Sequence, residues 1–148
     1  MSAIARRLLL VIALFALAGA GIASLSLYHH YGTGTSSFCD LGQNFNCDIV
    51  NRSIYSTIGG IPVALIGLLG YAGLLILATA YRKNPDTPKL LLAGSLAGLA
   101  FALYLTYVEA FVLAVWCVLC LSSLAAISAI TVLSTVLVVH GKRSPAAA

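Results

Sequence analysis

Charged side chains are scarce in this chain. Its 148 residues include eight lysines and arginines and four aspartates and glutamates, or 8%, whereas soluble domains carry about 25%. Hydrophobic residues make up 61% and the mean hydropathy is +1.03. This scarcity excludes a water-soluble domain and indicates a membrane protein. The net charge of +4 does not indicate a nucleic-acid partner, because the basic residues form short clusters beside apolar runs.

The apolar residues form runs long enough to cross a bilayer. Residues 8–27 and 60–81 include no charged residue, and residues 90–139 include only one, Glu109. A crossing needs about 20 residues, so the last stretch is predicted to hold two helices with a turn near residues 110–116. The sequence therefore predicts an all-α, single-domain membrane protein over residues 1–148. Its predicted architecture is a four-transmembrane-helix bundle with a long extracytoplasmic loop between helices 1 and 2.

The first run also fits a cleaved signal peptide, since two arginines precede it and small residues follow its leucine-rich core. A core of about 20 apolar residues is long for a signal and suits a span. We therefore interpret it as the first transmembrane helix.

The basic residues predict the orientation. Seven of the eight belong to the N-terminus, the second connection and the C-terminus, which share one side of a four-span bundle; they are Arg6, Arg7, Arg82, Lys83, Lys89, Lys142 and Arg143. The opposite side has only Arg52. The positive-inside rule then predicts a multi-pass cell-membrane protein with both termini in the cytoplasm. The loop over residues 28–58 and the turn between the third and fourth spans would face outward.

Four cysteines fall on that outer side as two pairs, Cys39 with Cys47 and Cys117 with Cys120. The second pair has CxxC spacing at a helix start, where unpaired N–H groups favour a thiolate and allow cycling between dithiol and disulfide. Two such pairs suggest an electron relay. Each pair also has a purely structural interpretation. The CxxC cysteines could be buried as small hydrophobic residues, and the loop pair could form a permanent disulfide. Zinc is disfavoured, because only one pair has the spacing of a zinc knuckle.

An electron acceptor must dissolve in the bilayer. The chain has no Rossmann glycine fingerprint, and its three histidines lie at span ends with no pair placed to ligate haem. A lipid-soluble quinone (menaquinone, ubiquinone or a vitamin K-type relative) needs only an apolar pocket beside a thiolate. Aromatic residues that could line this pocket, or alternatively form an interfacial aromatic belt, are Tyr104, Tyr107, Phe111 and Trp116. Glu109, the only acid in a span, is either functional or reaches interfacial water.

Shorter patterns predict local structure. Asn46 is expected to cap a short helix through Ser53, and Pro62 is expected in the first turn of the second span. Small residues on the second and third spans are typical of close helix packing in lipid; they are Gly67, Gly70, Gly73, Gly94, Ala97 and Gly98.

These motifs together resemble the vitamin K epoxide reductase family, over residues of about 8 to 140. The resemblance is carried by the loop cysteine pair, by the run from Cys47 to Ser53 with its serine six positions past the cysteine, by Gly60-Ile61-Pro62, by Tyr104-Leu105-Thr106-Tyr107 and by Trp116-Cys117-Val118-Leu119-Cys120. The chain is most similar to prokaryotic members that oxidise protein thiols.

The resemblance implies a role for each cysteine. Cys120 would react with the quinone, Cys117 would pair with it, Cys47 would shuttle electrons to Cys117, and Cys39 would meet a partner protein. Ser53 would lie near the quinone pocket or on the path linking the two pairs, or alternatively be an ordinary helix-surface serine. Ser56, where animal members have an asparagine, would lie near the quinone. Many bacterial members fuse a thioredoxin-like domain after the last span; this chain ends at Ala148, so a separate thioredoxin-like protein is expected as the electron donor.

Three functions remain open at this point. The first is a quinone-dependent thiol-disulfide oxidoreductase that drives disulfide formation. The second is reduction of vitamin K epoxide, which two departures disfavour: Leu124 stands where animal enzymes have a tyrosine, and Ser56 replaces the asparagine. The third is a non-enzymatic tetraspan scaffold with a structural loop disulfide.

Overall fold

The computed structural model describes residues 2–32 and 42–143, so the predicted site residue Cys39 lies outside the described part. Five α-helices occur in these ranges: α1 (Ala3–Tyr31), α2 (Cys47–Asn51), α3 (Val63–Thr79), α4 (Thr87–Tyr107) and α5 (Val118–Arg143). A single π-helical turn, Val108–Leu113, continues α4. The predicted helical membrane bundle is confirmed by this architecture.

Three helices are long and apolar enough to cross a bilayer, namely α1, α5 and α4 with its π-helical extension. The fourth long helix, α3, is apolar but has 17 residues, somewhat fewer than the about 20 that a perpendicular span needs. Four-span topology therefore stays a prediction.

The core lies where α1 packs against α3 and α5, and where α4 packs against α5. Buried aliphatic residues fill it, and the fully buried ones are Ile12, Ala16, Leu91 and Ile130. Large hydrophobic side chains cover much of the outer surface instead of polar ones, as on Leu14, Leu69 and Leu103. This distribution suits a bundle whose solvent is lipid.

The side chain of one tyrosine connects three helices. Tyr71 of α3 is buried against Gly19 of α1, where an added Cβ would lie 2.2 Å from the ring. Its hydroxyl donates to the Ser123 carbonyl of α5 at 2.8 Å and lies 2.8 Å from the Ser123 hydroxyl. Gly19 is therefore required for this crossing, because the ring occupies the space of a side chain.

The polar connection after α1 folds as the capping pattern predicts. The Asn46 side chain accepts from the backbone N–H groups of Asp48 (3.0 Å) and Ile49 (3.2 Å) at the start of α2. Asp48 also pairs with the buried His29 of α1 at 3.3 Å. The predicted end at Ser53 is wrong, since α2 ends at Asn51 and Ser53 is extended with φ −70° and ψ 163°.

A 3₁₀ turn (Ile54–Ser56) and a small antiparallel hairpin then lead into α3. Strands β1 (Thr57–Ile58) and β2 (Ile61–Pro62) pair with Thr57 opposite Pro62. Gly59 and Gly60 between them have φ of +59° and +84°, which glycine adopts without steric cost. Pro62 is extended and precedes α3, rather than lying in its first turn as predicted, because it pairs in the hairpin.

The turn between the α4 extension and α5 covers residues 114–117 and overlaps the predicted range 110–116. After the π-helical turn, Ala114 has a left-handed backbone with φ 52°, and the Glu109 carbonyl accepts from the N–H groups of Ala114 and Val115. A left-handed residue commonly ends a helix, and it is usually glycine. Alanine in this position left no turn signal in the sequence.

Candidate redox site

A cavity of about 530 Å³ lies among α1, α3, α4 and α5. Its volume is in the range of small-molecule sites, and like them it has mainly apolar walls with a few polar groups. Small residues of α3 and α4 line it, including Gly70, Gly73, Gly94 and Ala97, and these are exposed on the bundle surface. An added Cβ at Gly70 or Gly73 would meet no atom within 4 Å. Gly70, Gly73 and Ala97 therefore border an opening between α3 and α4. The predicted close packing is seen at Gly94, where an added Cβ would lie 3.3 Å from Leu74 of α3, and at Gly98, where it would lie 3.1 Å from Ile127 of α5.

Cys120 lies in the wall of this cavity, and Cys117 lies behind it. Both are free thiols, but only Cys120 is among the lining residues and Cys117 is fully buried. Cys120 and Ser123, one turn apart on α5, both face the cavity. A ligand in the cavity could contact the Cys120 sulfur without contacting Cys117.

The start of α5 stabilises negative charge on Cys117. Its sulfur interacts with the Cys120 thiol, and this hydrogen bond is the main cause that lowers the pKa of Cys117 below the ordinary thiol value, although burial opposes it. The Cys120 backbone N–H also donates to the Cys117 sulfur at 3.3 Å. Orphan N–H groups at a helix start commonly favour a thiolate in this way.

Glu109 is buried beside the thiol pair, with 1% of its surface exposed. Its Oε2 accepts from the Cys117 backbone N–H at 3.1 Å, and the residue lines the cavity. The side chain therefore does not reach interfacial water, which was one of the two interpretations of this acid; its function stays a prediction.

Cys47 is held close to Cys117. Both are fully buried in one small hydrophobic cluster, which also contains Leu119 and is bordered by Ile22, Leu25, Val50, Val118 and Cys120. The loop before Cys47 pairs with the residue before Cys117: the Asn46 N–H donates to the Trp116 carbonyl (3.0 Å), and the Trp116 N–H donates to the Asn44 carbonyl (2.8 Å). Cys47 is disulfide-bonded. The residues before α2 and the residue before Cys117 are therefore joined by backbone hydrogen bonds, which hold Cys47 and Cys117 near each other.

The polar end of the cavity is formed by the connection after α2. Ser53 and Ser56 both line it; the Ser53 hydroxyl donates to the Val50 carbonyl (2.8 Å) and the Ser56 hydroxyl to the Ser53 carbonyl (2.7 Å). His30 donates through Nδ1 to the Asn51 carbonyl at 2.5 Å. Asn51 is buried, and its Nδ2 has no hydrogen-bond partner in the described ranges. This end could bind a carbonyl or hydroxyl group of a ligand.

The aromatic residues at the cavity differ from those that the sequence suggested. Tyr104, Tyr107 and Phe111 do not line it; they are 52%, 58% and 76% exposed on the outer face of α4 and its extension. Tyr107 and Phe111 contact each other with ring centroids 5.0 Å apart, as in an interfacial belt. Trp116 is also outside the lining.

Sequence reasoning missed the aromatic residues that do line the cavity, Tyr55, Tyr71 and Phe101. Spacing could have identified one of them, because Phe101 follows Gly94 and Ala97 at helical intervals of three to four residues. Tyr71 gave no signal, since its role depends on the crossing of α1 and α3.

Fold and site together define a helical membrane protein whose CxxC thiol pair lies at an apolar cavity, a class suited to redox chemistry. A model of the Vitamin K epoxide reductase family matches residues 8–135, and the chain belongs to this family. It is therefore a membrane oxidoreductase. The search of curated proteins found no match to the chain.

Proposed function

We propose that this protein passes electrons from a separate thioredoxin-like protein, through its two cysteine pairs, to a membrane quinone. Net disulfide formation outside the cytoplasm follows. The observation that carries the proposal is the division of the CxxC pair between two surroundings: Cys120 borders the apolar cavity, whereas Cys117 is buried with Cys47. One thiol can thus serve a lipid-soluble acceptor and the other a loop donor.

The cavity supports a quinone as the acceptor. Its walls are mostly apolar, and it is bordered by exposed small residues of α3 and α4, so an isoprenoid tail could extend from it into lipid. Polar groups lie at two places, near Ser53 and Ser56 and near Glu109 and Ser123. A ring with two oxygens on opposite sides matches such an arrangement.

In the proposed reaction, the Cys120 sulfur attacks the quinone ring and Cys117 then attacks the Cys120 sulfur. The products are a Cys117–Cys120 disulfide and a hydroquinone, so two electrons and two protons leave the thiols. Thiol-disulfide exchange with Cys47 then returns Cys117 and Cys120 to the dithiol state. The burial of Cys47 and Cys117 in one cluster supports this exchange. Cys39 then exchanges with the partner protein.

The test is quinone reduction by the purified protein in lipid nanodiscs, followed by quinone absorbance. A reduced thioredoxin-like protein is the donor, and short-chain ubiquinone and menaquinone are tried as acceptors. Cys120→Ala is expected to abolish turnover. The matched control is Ser122→Ala, which removes an exposed hydroxyl two positions along α5 and should leave the rate unchanged.

Two results would contradict the proposal. Wild-type turnover in Cys120→Ala would remove the quinone-facing role from this thiol. A CxxC pair that stays reduced with every quinone would instead favour the scaffold alternative. Product analysis with vitamin K epoxide in the same nanodiscs separates epoxide reduction from quinone reduction.

A further inference from the structure

The burial of Glu109 requires an explanation, because a carboxyl group away from water is costly unless its oxygens have partners. Oε2 accepts from the Cys117 N–H at 3.1 Å, and the carboxyl group also has a side-chain hydrogen bond with the Cys120 thiol. Oε1 is buried, and no nitrogen or oxygen donor in the described part of the chain reaches it. A purely structural acceptor for one N–H would need neither the charge nor the second oxygen.

The backbone places this carboxyl group at the reacting sulfurs. The π-helical turn and left-handed Ala114 turn the chain back on itself, so the end of the α4 extension faces the start of α5. The carboxyl group interacts electrostatically with both Cys117 and Cys120 and lines the same cavity as Cys120. It therefore lies between a thiol and the space proposed for the quinone.

We propose that Glu109 is the proton carrier of the site: it takes the proton from the Cys120 thiol and delivers it to an oxygen of the bound quinone. This inference rests on the proposed function for the delivery step. Proton removal from Cys120 is a separate step that any oxidant of the thiol pair would use.

The step balances as follows. The Glu109 carboxylate accepts the S–H proton, and the Cys120 sulfur forms a bond to a ring carbon, which leaves negative charge on a ring oxygen. Glu109 returns the proton to that oxygen. Cys117 then bonds to the Cys120 sulfur, the carbon–sulfur bond breaks, and its electron pair stays on the ring. The Cys117 proton completes the hydroquinone.

Other titratable groups face the same cavity and must be separated from Glu109 in any pH profile. They are His30 from α1, Tyr55 from the 3₁₀ turn, Tyr71 from α3 and Cys120 from α5, while Cys117 lies behind the wall. The Tyr71 hydroxyl is already bonded to Ser123 and the His30 Nδ1 to Asn51. Of the carboxyl groups in the described ranges, Glu109 is the one that lines the cavity.

The experiment compares wild type and Glu109→Gln in two reactions across pH. One is quinone reduction in nanodiscs; the other is oxidation of the CxxC pair by diamide without quinone, followed by mass spectrometry of the alkylated Cys117–Cys120 peptide. The amide oxygen of Gln can still accept from the Cys117 N–H, so a structural role would survive. The proposal predicts a loss of about 100-fold in both rates, typical of a lost general base.

The pH profile gives a second readout. Wild-type rates should fall at acid pH, as the Glu109 carboxylate becomes protonated and can no longer accept; Glu109→Gln should lack this acid limb. Glu109→Asp keeps a carboxyl group one methylene shorter and should keep the limb at an intermediate rate. The control is Ser95→Ala, which removes a fully buried hydroxyl of α4 outside the cavity lining and should match wild type.

Wild-type diamide rates in Glu109→Gln, or a Glu109→Asp profile without the acid limb, would overturn the inference. If Glu109→Gln does not fold, the pH profile of Glu109→Asp still tests whether Glu109 carries the proton. If wild type oxidised its thiols with diamide but reduced no quinone, the proposed function would fail, while the diamide comparison would still judge proton removal by Glu109.

Discussion

At the residue scale, the two cysteines of the CxxC differ although they are one helical turn apart. Cys117 is fully buried and accepts from the Cys120 N–H, whereas Cys120 borders the cavity. The helix start therefore stabilises charge on the thiol that faces the loop, and the cavity receives the other. This asymmetry fits a pair that exchanges with Cys47 on one side and with a quinone on the other.

The titration of Cys117 tests this asymmetry. Because hydrogen bonding with Cys120 lowers the pKa of the Cys117 thiol, ultraviolet thiolate absorbance of the reduced protein should rise at a pH below that of an ordinary thiol. Cys117→Ser should remove this early transition. An unchanged titration in Cys117→Ser would show that another thiol produced it.

A trapped disulfide tests the handover between pairs. Removing Cys39 or Cys120 should leave a Cys47–Cys117 disulfide, since the exchange intermediate then has no thiol to resolve it. The burial of Cys47 and Cys117 in one cluster supports this pairing. Non-reducing digestion and mass spectrometry would detect it, and a dominant Cys39–Cys117 crosslink in the Cys120 variant would reverse the assignment of the shuttle.

At the element scale, α1 and α3 meet through Tyr71 and Gly19, and the same ring reaches α5 at Ser123. Ser123 lies one turn beyond Cys120, so this crossing also positions the cavity wall that bears the thiol. By contrast, α3 and α4 touch at Leu74 and Gly94 and leave an opening beside Gly70, Gly73 and Ala97. The bundle is thus tightly packed where α3 meets α1 and partly open where α3 faces α4.

Gly19→Ala tests the tight side. The added Cβ would meet the Tyr71 ring at 2.2 Å, and such overpacking should lower the free energy of unfolding by about 1–3 kcal/mol. Gly21→Ala on the same helix is the matched control, because a Cβ there meets no atom within 4 Å and should be neutral or slightly stabilising. Denaturant titration in micelles measures both; equal stability of the two variants would show that Tyr71 moves aside freely.

Ala97→Phe tests the open side. A bulky ring at this exposed, cavity-lining position of α4 should narrow the gap and raise the KM for a long-tailed quinone by about tenfold, with a smaller effect on a tailless one. Leu96→Phe, on an exposed position outside the cavity lining, is the control. An equal effect of Ala97→Phe on both quinones would indicate that the tail leaves by another route.

At the scale of the whole molecule, the loop before α2 is joined to the start of α5 beside Cys47 and Cys117, and charge is distributed unevenly along the chain. The backbone pairing of Asn44 and Asn46 with Trp116 brings sequence-distant cysteines to one end of the bundle. Seven of eight basic residues belong to the other end. We therefore propose that the cysteine end is extracytoplasmic and both termini are cytoplasmic.

Cysteine labelling in intact cells tests this orientation. The four native cysteines are first replaced by serine. A thiol introduced by Ile54→Cys, at a position 81% exposed beyond α2, should then react with a membrane-impermeant maleimide. One introduced by Gly141→Cys, exposed near the end of α5, should react only after lysis. The reverse pattern would place the cysteine end in the cytoplasm.

Local patterns in the sequence determined the helical bundle, the Asn46 cap and the grouping of the cysteines, because hydropathy and capping act over a few consecutive residues. Span length alone placed the α4–α5 turn near residues 110–116, because Ala114 takes a left-handed conformation there that usually signals itself by glycine. The end of α2 was missed, since Ser53 is extended and leads into the 3₁₀ turn Ile54–Ser56 instead of continuing the helix.

The tertiary structure decided which side chains line the cavity. Tyr104, Tyr107 and Phe111 have the right residue types, but the rotation of α4 turns them outward, while Tyr71 and Phe101 turn inward. In a helix that is apolar on every face, hydrophobic periodicity does not show which side meets lipid and which meets protein. For the same reason, only the folded chain shows Glu109 buried beside Cys117 rather than at the membrane surface.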